Sequence, residues 1–301
     1  MKIGFVGLGR MGSAMVQNLS EHKHSVVVYN RSKGPAKKLS NGKNIFASDS
    51  LEDMVSKLPS NERKIIWLMV TAGKVVDKIM FSLIPLLNKG DIIIDGGNSF
   101  YKDSIRRNKT LKKKGIYFFD CGTSGGIEGA RHGACMMIGG EKKIFRTIEP
   151  LFKSMCVENG SGYMGKSGGG HFVKMVHNGI EYGMMGSINE GFLALEKYEK
   201  KFDFDLKEVS KVYANGSIVE GRLMGWLWDS FRREKYLRSI SCEVPRGETE
   251  KEMRKLERLS EMKILQEARL MRKRTRKLGR CGRLIAAMRN QFGGHAVKTR
   301  R

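Results

Sequence analysis

The sequence predicts an α/β protein: a doubly wound parallel sheet over residues 1–165, followed by an all-helical domain over residues 166–301. Three observations carry that reading. Apolar, strand-like runs alternate with helical stretches from Lys2 to about residue 155. The first of those runs ends in a glycine-rich turn. After Gly170 the strand-like runs stop and long helical segments take over. At 301 residues the chain is long enough for two domains and a sizeable core.

In order along the chain, KIGFVGLGRMG is a short apolar strand running into Gly7, Gly9 and Gly12. The segment from Ser13 to Leu19 is helical in character, and HSVVVYN is a second strand. Strand, glycine turn, helix and second strand form the setting that a G-x-G-x-x-G needs before it reads as a Rossmann-like dinucleotide site. Gly7 permits the tight turn, Gly9 lets backbone N–H groups approach a pyrophosphate, and Gly12 lets the helix pack closely on the strand. Asn30, Arg31 and Ser32 stand where an NAD-selective site would place an acidic residue on the ribose 2′-hydroxyl. A guanidinium and a hydroxyl suit a 2′-phosphate instead, which favours NADP over NAD, with NAD as the alternative and a plain surface arginine as the bland reading of Arg31. KIIWLMV (64–70) and DIIIDGG (91–97) have the unbroken apolar character of strands covered on both faces; GIYFFDCG and ACMMIGG read as two more, with a helical stretch from Ser104 to Lys114 between.

The run GGGHFVKMVHNGIEYG (168–183) reads as one helix. Lys174, His177, Asn178, Glu181 and Tyr182 fall at i, i+3, i+4, i+7 and i+8, within about 140° of arc, with Phe172, Val173, Val176, Ile180 and Met184 on the opposite side. A solvated polar face would explain such a stripe. Solvated faces, however, favour Glu and Lys pairs and seldom collect His, Asn and Tyr together. A base and an acid two turns apart, beside an imidazole, suit acid–base chemistry on a small polar substrate.

Composition narrows the class further. Cys121, Cys135, Cys156, Cys242 and Cys281 are scattered, odd in number and without C-x-x-C spacing, which predicts a reducing compartment with no disulfide framework and no metal site. No apolar run approaches the roughly 18 residues of a membrane span, and the first strand is too short and glycine-rich for a signal peptide, so the expected location is cytoplasmic. Net charge is +25, and residues 251–301 alone hold 17 Lys and Arg against 4 Glu. Such a balance attracts anions, whether nucleic acid or a multiply charged small substrate. Phe292 is the only aromatic residue in that stretch, which speaks against a base-stacking platform and a nucleic-acid function.

GFVGLGRMG, DGGNSFYKDS (95–104), CGTSGGIEGARHG (121–133), GGGHFVKMVHNGIEYG and RNQFGGH (289–295) together resemble the motifs of decarboxylating 6-phosphogluconate dehydrogenase in its short form, across nearly the whole chain. The S-G-G-x-x-G-A-x-x-G loop alone is shared with the wider β-hydroxyacid dehydrogenases; K-x-x-H-N-G-I-E-Y with R-N-x-F-G-G-H is much narrower. The resemblance implies that Lys174 is the general base at the C3 hydroxyl and that Glu181 protonates C1 after loss of CO2, giving ribulose 5-phosphate. It implies that Asn98, Ser124, Gly125, Gly126, His177, Asn178 and Tyr182 hold 6-phosphogluconate, and that Leu8, Arg10, Met11, Val70 and Asn98 join the glycines at the cofactor. Arg272, in a helix similar to the family's arginine-bearing one, is matched to the substrate phosphate. Arg289 and His295 are matched to a tail serving a neighbouring subunit, so the expected state is at least a dimer.

Departures accompany the resemblance. VPRGETEKEM (244–253) occupies the place of the family's S-G-x-G-R-W-T segment and leaves its phosphate contact open; Thr71 stands where a proline is expected, and Gly186 where glutamine is common. Two other readings remain at this stage. A non-decarboxylating β-hydroxyacid dehydrogenase would share the turn, the loop and the lysine; an inactive basic Rossmann binding protein would lack the need for Lys174 and Glu181.

Overall fold

The computed structural model describes residues 1–247, 249–279 and 281–299 and divides into two compact units, Met1–Lys174 and Met175–Arg301. In the first, eight strands form one sheet among the described residues: β1 (Lys2–Val6), β2 (Ser25–Tyr29), β3 (Ile45–Ala47), β4 (Ile65–Leu68), β5 (Ile92–Asp95), β6 (Tyr117–Ser124), β7 (Ala134–Gly139) and β8 (Cys156–Tyr163). Their spatial order is β3-β2-β1-β4-β5-β6-β7-β8. The chain therefore builds outward from β1 to β3 and then crosses to β4 on the other side of β1, which creates a topological switch point. All neighbours are parallel except β6 and β7.

Helices α1 (Arg10–Glu21), α2 (Lys33–Leu39), α3 (Leu51–Ser56), α4 (Lys74–Leu83), α5 (Tyr101–Lys112), α6 (Gly126–His132) and α7 (Lys142–Met155) connect the strands. The central strands feed both faces: Ile92 and Ile94 of β5 join Met15, Leu19, Leu151 and Phe152 in one core, and Ile93 joins Met54, Met80 and Leu111 in the other. Alternation with both faces apolar is what a doubly covered parallel sheet requires. The Rossmann-like α/β class expected from the sequence is the class observed. Two features of the sheet were not expected. β7 returns antiparallel to β6, and β8 is an additional strand whose CVENGSGY sequence, partly exposed and glycine-broken, lacks any strand pattern.

Helix α8 (Gly169–Phe202) begins in the first unit, and α9 (Leu206–Tyr213), α10 (Arg222–Arg232), α11 (Glu234–Ser239), α12 (Glu250–Leu259), α13 (Lys263–Lys277) and α14 (Arg283–Gly293) complete the second. Its core gathers Met185 and Phe192 of α8, Met224 and Leu227 of α10, and Ile285 to Met288 of α14. One cysteine expectation is corrected. Cys242 and Cys281, 39 residues apart, are joined in a disulfide, because Cys242 and the loop before α14 are brought side by side, with Gly282 N–H donating to Cys242 O at 2.8 Å. Cys121, Cys135 and Cys156 are free. Among the described residues, no helix is long and apolar enough to cross a membrane.

Candidate active site

The turn after β1 lies at the switch point. Gly7 adopts φ +101°, and a Cβ there would meet Met69 O at 2.3 Å; a Cβ on Gly12 would meet Gly7 O at 2.0 Å. Side chains are sterically excluded at both positions, so α1 starts tightly against the strand. Gly9, by contrast, has nothing within 4 Å of its Cβ position. It is the N-cap of α1, where no side chain caps the first amides and no acidic residue stands in the first turn. An open, uncapped and non-acidic helix start fits a pyrophosphate.

Around this turn, Asn30 Oδ1 accepts from Leu8 N–H at 3.0 Å, while its Nδ2 donates to Ser32 O at 3.0 Å and Ser32 Oγ at 2.9 Å. The Asn30 side chain thus ties the end of β2 to the turn. Arg31 and Ser32 beside it are exposed, as is Arg10; Met11 and Val70 are half-buried and Leu8 is buried. Asn98 follows β5 in a loop anchored from below. The buried Arg107 of α5 donates to Asp95 at 3.0 Å, to Ser99 Oγ at 3.2 Å and to Asp77 at 2.8 Å. Burying such a cation is tolerable only with this complement of acceptors. Ser124, Gly125 and Gly126 form the turn from β6 into α6, with Gly125 at φ +110°.

On α8 the helical spacing of the reactive stripe holds, and its burial is the reverse of an ordinary amphipathic helix. Lys174 is 9% exposed and Tyr182 5%, whereas Ile180 is 56% and Met184 49% exposed on the apolar side. The solvated-face explanation of the stripe is excluded for Lys174, Asn178 and Tyr182 by that burial. In the first unit, Lys174 is backed by β6: a Cβ on Gly122 would lie 2.3 Å from Lys174 Cβ. In the second unit, His177 Nδ1 lies 3.3 Å from Asn178 Oδ1, with the proton's place set by the tautomer.

Also in the second unit, two buried arginines meet at Tyr182. The Arg272 guanidinium lies 3.4 Å from the centroid of the Tyr182 ring, and its Nε has no hydrogen-bond partner. Burial pulls its pKa down to about 10, with Tyr182 acting in the opposite direction, so it remains cationic at neutral pH. Arg289, on α14, donates to Pro245 O at 2.8 Å; burial lowers its pKa too, against the upward pull of Tyr182 and Glu181. Tyr182 OH is 3.2 Å from Thr249 Oγ1, and a Cβ on Gly247 would meet Arg289 Nη2 at 3.2 Å and Tyr182 OH at 3.4 Å. Two guanidiniums, a phenol, a hydroxyl and a side-chain-free residue share one small region. That set is suited to a dianion.

Arg289 lies on α14 in the second unit. It is buried against residues of its own chain, because Leu284 to Met288 of α14 pack into the core of the same unit and carry Arg289 with them. His295, past α14, is exposed, with its ring edge-on to Phe292 at 5.8 Å. Sequence reasoning also passes over Thr249, Gly247, Asp120 and Arg107. For the first two the available signal was a glycine and a threonine two residues apart in VPRGETEKEM; for the buried Asp120 and Arg107 no local pattern exists.

An open helix start at the switch point of a parallel sheet is the setting of a dinucleotide-binding protein, and similarity to known proteins narrows the class. The family model for the NAD-binding domain of 6-phosphogluconate dehydrogenase matches residues 2–166, and that for its C-terminal domain matches residues 170–201. The chain is 40% identical over 305 residues to YqeC of Bacillus subtilis, a protein provisionally named as a 6-phosphogluconate dehydrogenase, with 99% of each chain covered. It is 38% identical to the NAD(+)-dependent, decarboxylating 6-phosphogluconate dehydrogenase of Haloferax volcanii, over 78% of this chain and 76% of that one. The 6-phosphogluconate dehydrogenase of Plasmodium falciparum, solved in its apo form, with NADP+ and with 6-phosphogluconate, superposes with a TM-score of 0.79 at 27% identity. That match covers 91% of this chain and 62% of the other. The chain belongs to the 6-phosphogluconate dehydrogenase family and is an NAD(P)-dependent dehydrogenase of it.

Proposed function

We propose that this protein oxidises and decarboxylates 6-phosphogluconate to ribulose 5-phosphate and CO2 with NADP as the oxidant. The observation that carries the reading is the buried arginine pair at Tyr182. Two desolvated guanidiniums, one with an unpaired Nε, are costly unless they serve an anion, and a phosphate monoester supplies the matching charge and geometry.

In this reading Lys174, held against β6, takes the proton from the C3 hydroxyl. The turn after β1 would hold NADP, whose nicotinamide would supply the acceptor for the hydride leaving C3. Lys174, now protonated, polarises the C3 carbonyl oxygen, so that the electron pair of the departing carboxylate is received as an enediol; Glu181 then delivers a proton to C1. Asn98, Ser124, Gly125, Gly126, His177 and Asn178 orient the sugar acid, and Arg272, Arg289, Tyr182 and Thr249 hold its phosphate. Gly7, Leu8, Gly9, Arg10, Met11, Gly12 and Val70 line the dinucleotide site. Exposed Arg31 and Ser32 favour the 2′-phosphate of NADP, and Asn30 supports them from behind.

Substrate and cofactor are both phosphorylated and charged, which suits a cytoplasmic setting. A homo-oligomer is part of the proposal: Ile180 and Met184 of α8 expose an apolar strip that a second copy can cover. Sedimentation of an active monomer would remove that part.

The decisive assay supplies 6-phosphogluconate and NADP and follows reduced nicotinamide together with CO2. Equal amounts of both are expected. Hydride transfer without CO2 would identify a non-decarboxylating β-hydroxyacid dehydrogenase, and cofactor binding without turnover would identify an inactive binding protein.

A further inference from the structure

The start of α8 is held by a residue that lies outside the helix and outside the proposed chemistry. Asp120, in the middle of β6, is fully buried. Its Oδ1 accepts from Gly168 N–H at 2.6 Å and its Oδ2 from His171 N–H at 2.8 Å. These are orphan amides of the first turn of α8, and positions 168–170 are all glycine, so no local side chain can take them. The glycines serve close approach instead: a Cβ on Gly170 would meet Asp120 O and Met137 O at 2.4 Å. A second tie runs through the His171 ring, whose Nδ1 lies 2.7 Å from the buried Ser104 Oγ of α5. One helical turn beyond His171 stands Lys174, pressed on Gly122; Asp120 and Gly122 are alternate residues on one face of β6. The strand that anchors the helix start therefore also backs the lysine.

We propose that Asp120 is a positioning residue for Lys174: from β6 it caps the start of α8 and fixes the rotation and axial register of the helix. This rests on the assignment of Lys174 as the base. The carboxylate suits the task because each oxygen holds a separate amide and its charge complements the helix dipole. Asparagine fills the same volume yet turns an NH2 group toward one of those two N–H donors.

The test uses the full chain with Asp120→Asn and, as a milder second variant, Ser104→Ala. Three quantities are read: amide exchange of the peptide spanning residues 168–178, NADPH binding by fluorescence titration, and kcat and KM for 6-phosphogluconate per NADPH-binding site. In Asp120→Asn, exchange at the start of α8 should quicken at least tenfold while the segment spanning β1 and α1 keeps its protection. NADPH affinity and substrate KM should stay within about threefold, and kcat per binding site should fall on the order of 100-fold, as displacement of a reacting group by about 1 Å does. Ser104→Ala should move exchange and kcat in the same direction by a smaller factor.

Unchanged exchange in Asp120→Asn would overturn the cap. Activity lost only in proportion to lost NADPH-binding sites, with kcat per site unchanged, would reduce Asp120 to a stability residue and overturn the positioning role. A wild type without turnover on 6-phosphogluconate would instead overturn the functional reading and the role of Lys174 with it, leaving the exchange result to decide the cap alone.

Discussion

At the scale of single residues, three of the side chains proposed to act, Lys174, Arg272 and Arg289, are charged and yet buried. The base of the Lys174 side chain packs on Gly122, and the Arg272 guanidinium lies over the Tyr182 ring rather than in solvent. Replacing Lys174 with Met should abolish both NADPH formation and CO2 release while cofactor binding persists, because loss of a general base costs roughly 10²–10⁴ in rate. Turnover within about tenfold of wild type would remove it from the role. For the phosphate, Arg272→Met keeps the buried volume and removes the charge. A charged hydrogen bond is worth about 1.5–3 kcal/mol, so KM for 6-phosphogluconate should rise roughly 10- to 150-fold, with a smaller effect on a substrate lacking the phosphate. Arg31→Ala should weaken NADP by a similar factor and leave NAD nearly unchanged; the ratio of kcat/KM for the two coenzymes is the measurement, and equal losses would show that Arg31 only supports the fold.

At the scale of elements, β6 and α8 decide the geometry. Glycine at 122 is a packing requirement, since its Cβ would sit 2.3 Å from that of Lys174. Gly122→Ala must therefore push the lysine or the strand aside. The expected outcome is loss of turnover with little loss of NADPH binding, because the glycine turn after β1 is a separate part of the first unit. Wild-type kcat in a correctly folded Gly122→Ala would show that Lys174 tolerates displacement and would weaken its assignment as the base. The long α8 also shows why an apolar stripe is an unreliable guide to the inside of a protein. Lys174, Asn178 and Tyr182 of its polar stripe are buried, whereas Phe172, Ile180 and Met184 of its apolar stripe are exposed.

At the scale of the whole molecule, two units carry separate cores, and the Cys242–Cys281 bond staples the second. A loop of 39 residues closed by a disulfide gains about 3–4 kcal/mol by chain entropy. Adding reductant, or making Cys242→Ser, should lower the unfolding temperature of the helical unit while the sheet unit keeps its own. Thermal unfolding followed with and without reductant reads this directly, and superimposable curves would show that the bond adds no stability. The net charge of +25 acts at the same scale: it should draw phosphorylated ligands inward, so kcat/KM should fall as salt is raised, even with kcat unchanged.

The features that were legible in the chain before folding are the local ones. A glycine turn demands φ and contact distances that only Gly7 and Gly12 meet, the apolar runs of β4 and β5 announce strands covered on both sides, and the spacing from Lys174 to Tyr182 survives because a helix imposes its own period. The motifs RNQFGGH and HNGIEY pointed to the family for the same reason, being short and contiguous. Everything that depends on partners distant in sequence was decided only by the tertiary structure. β8 is a strand because β7 offers it an edge, despite a sequence that lacks strand character. The disulfide exists because two loops meet, and Arg289 points into its own unit because α14 packs there. Thr249 reaches Tyr182, and Asp120 reaches the start of α8, across 67 and 48 residues of chain. No local pattern encodes those meetings, since a buried carboxylate or arginine is stable only where the folded chain supplies its partners.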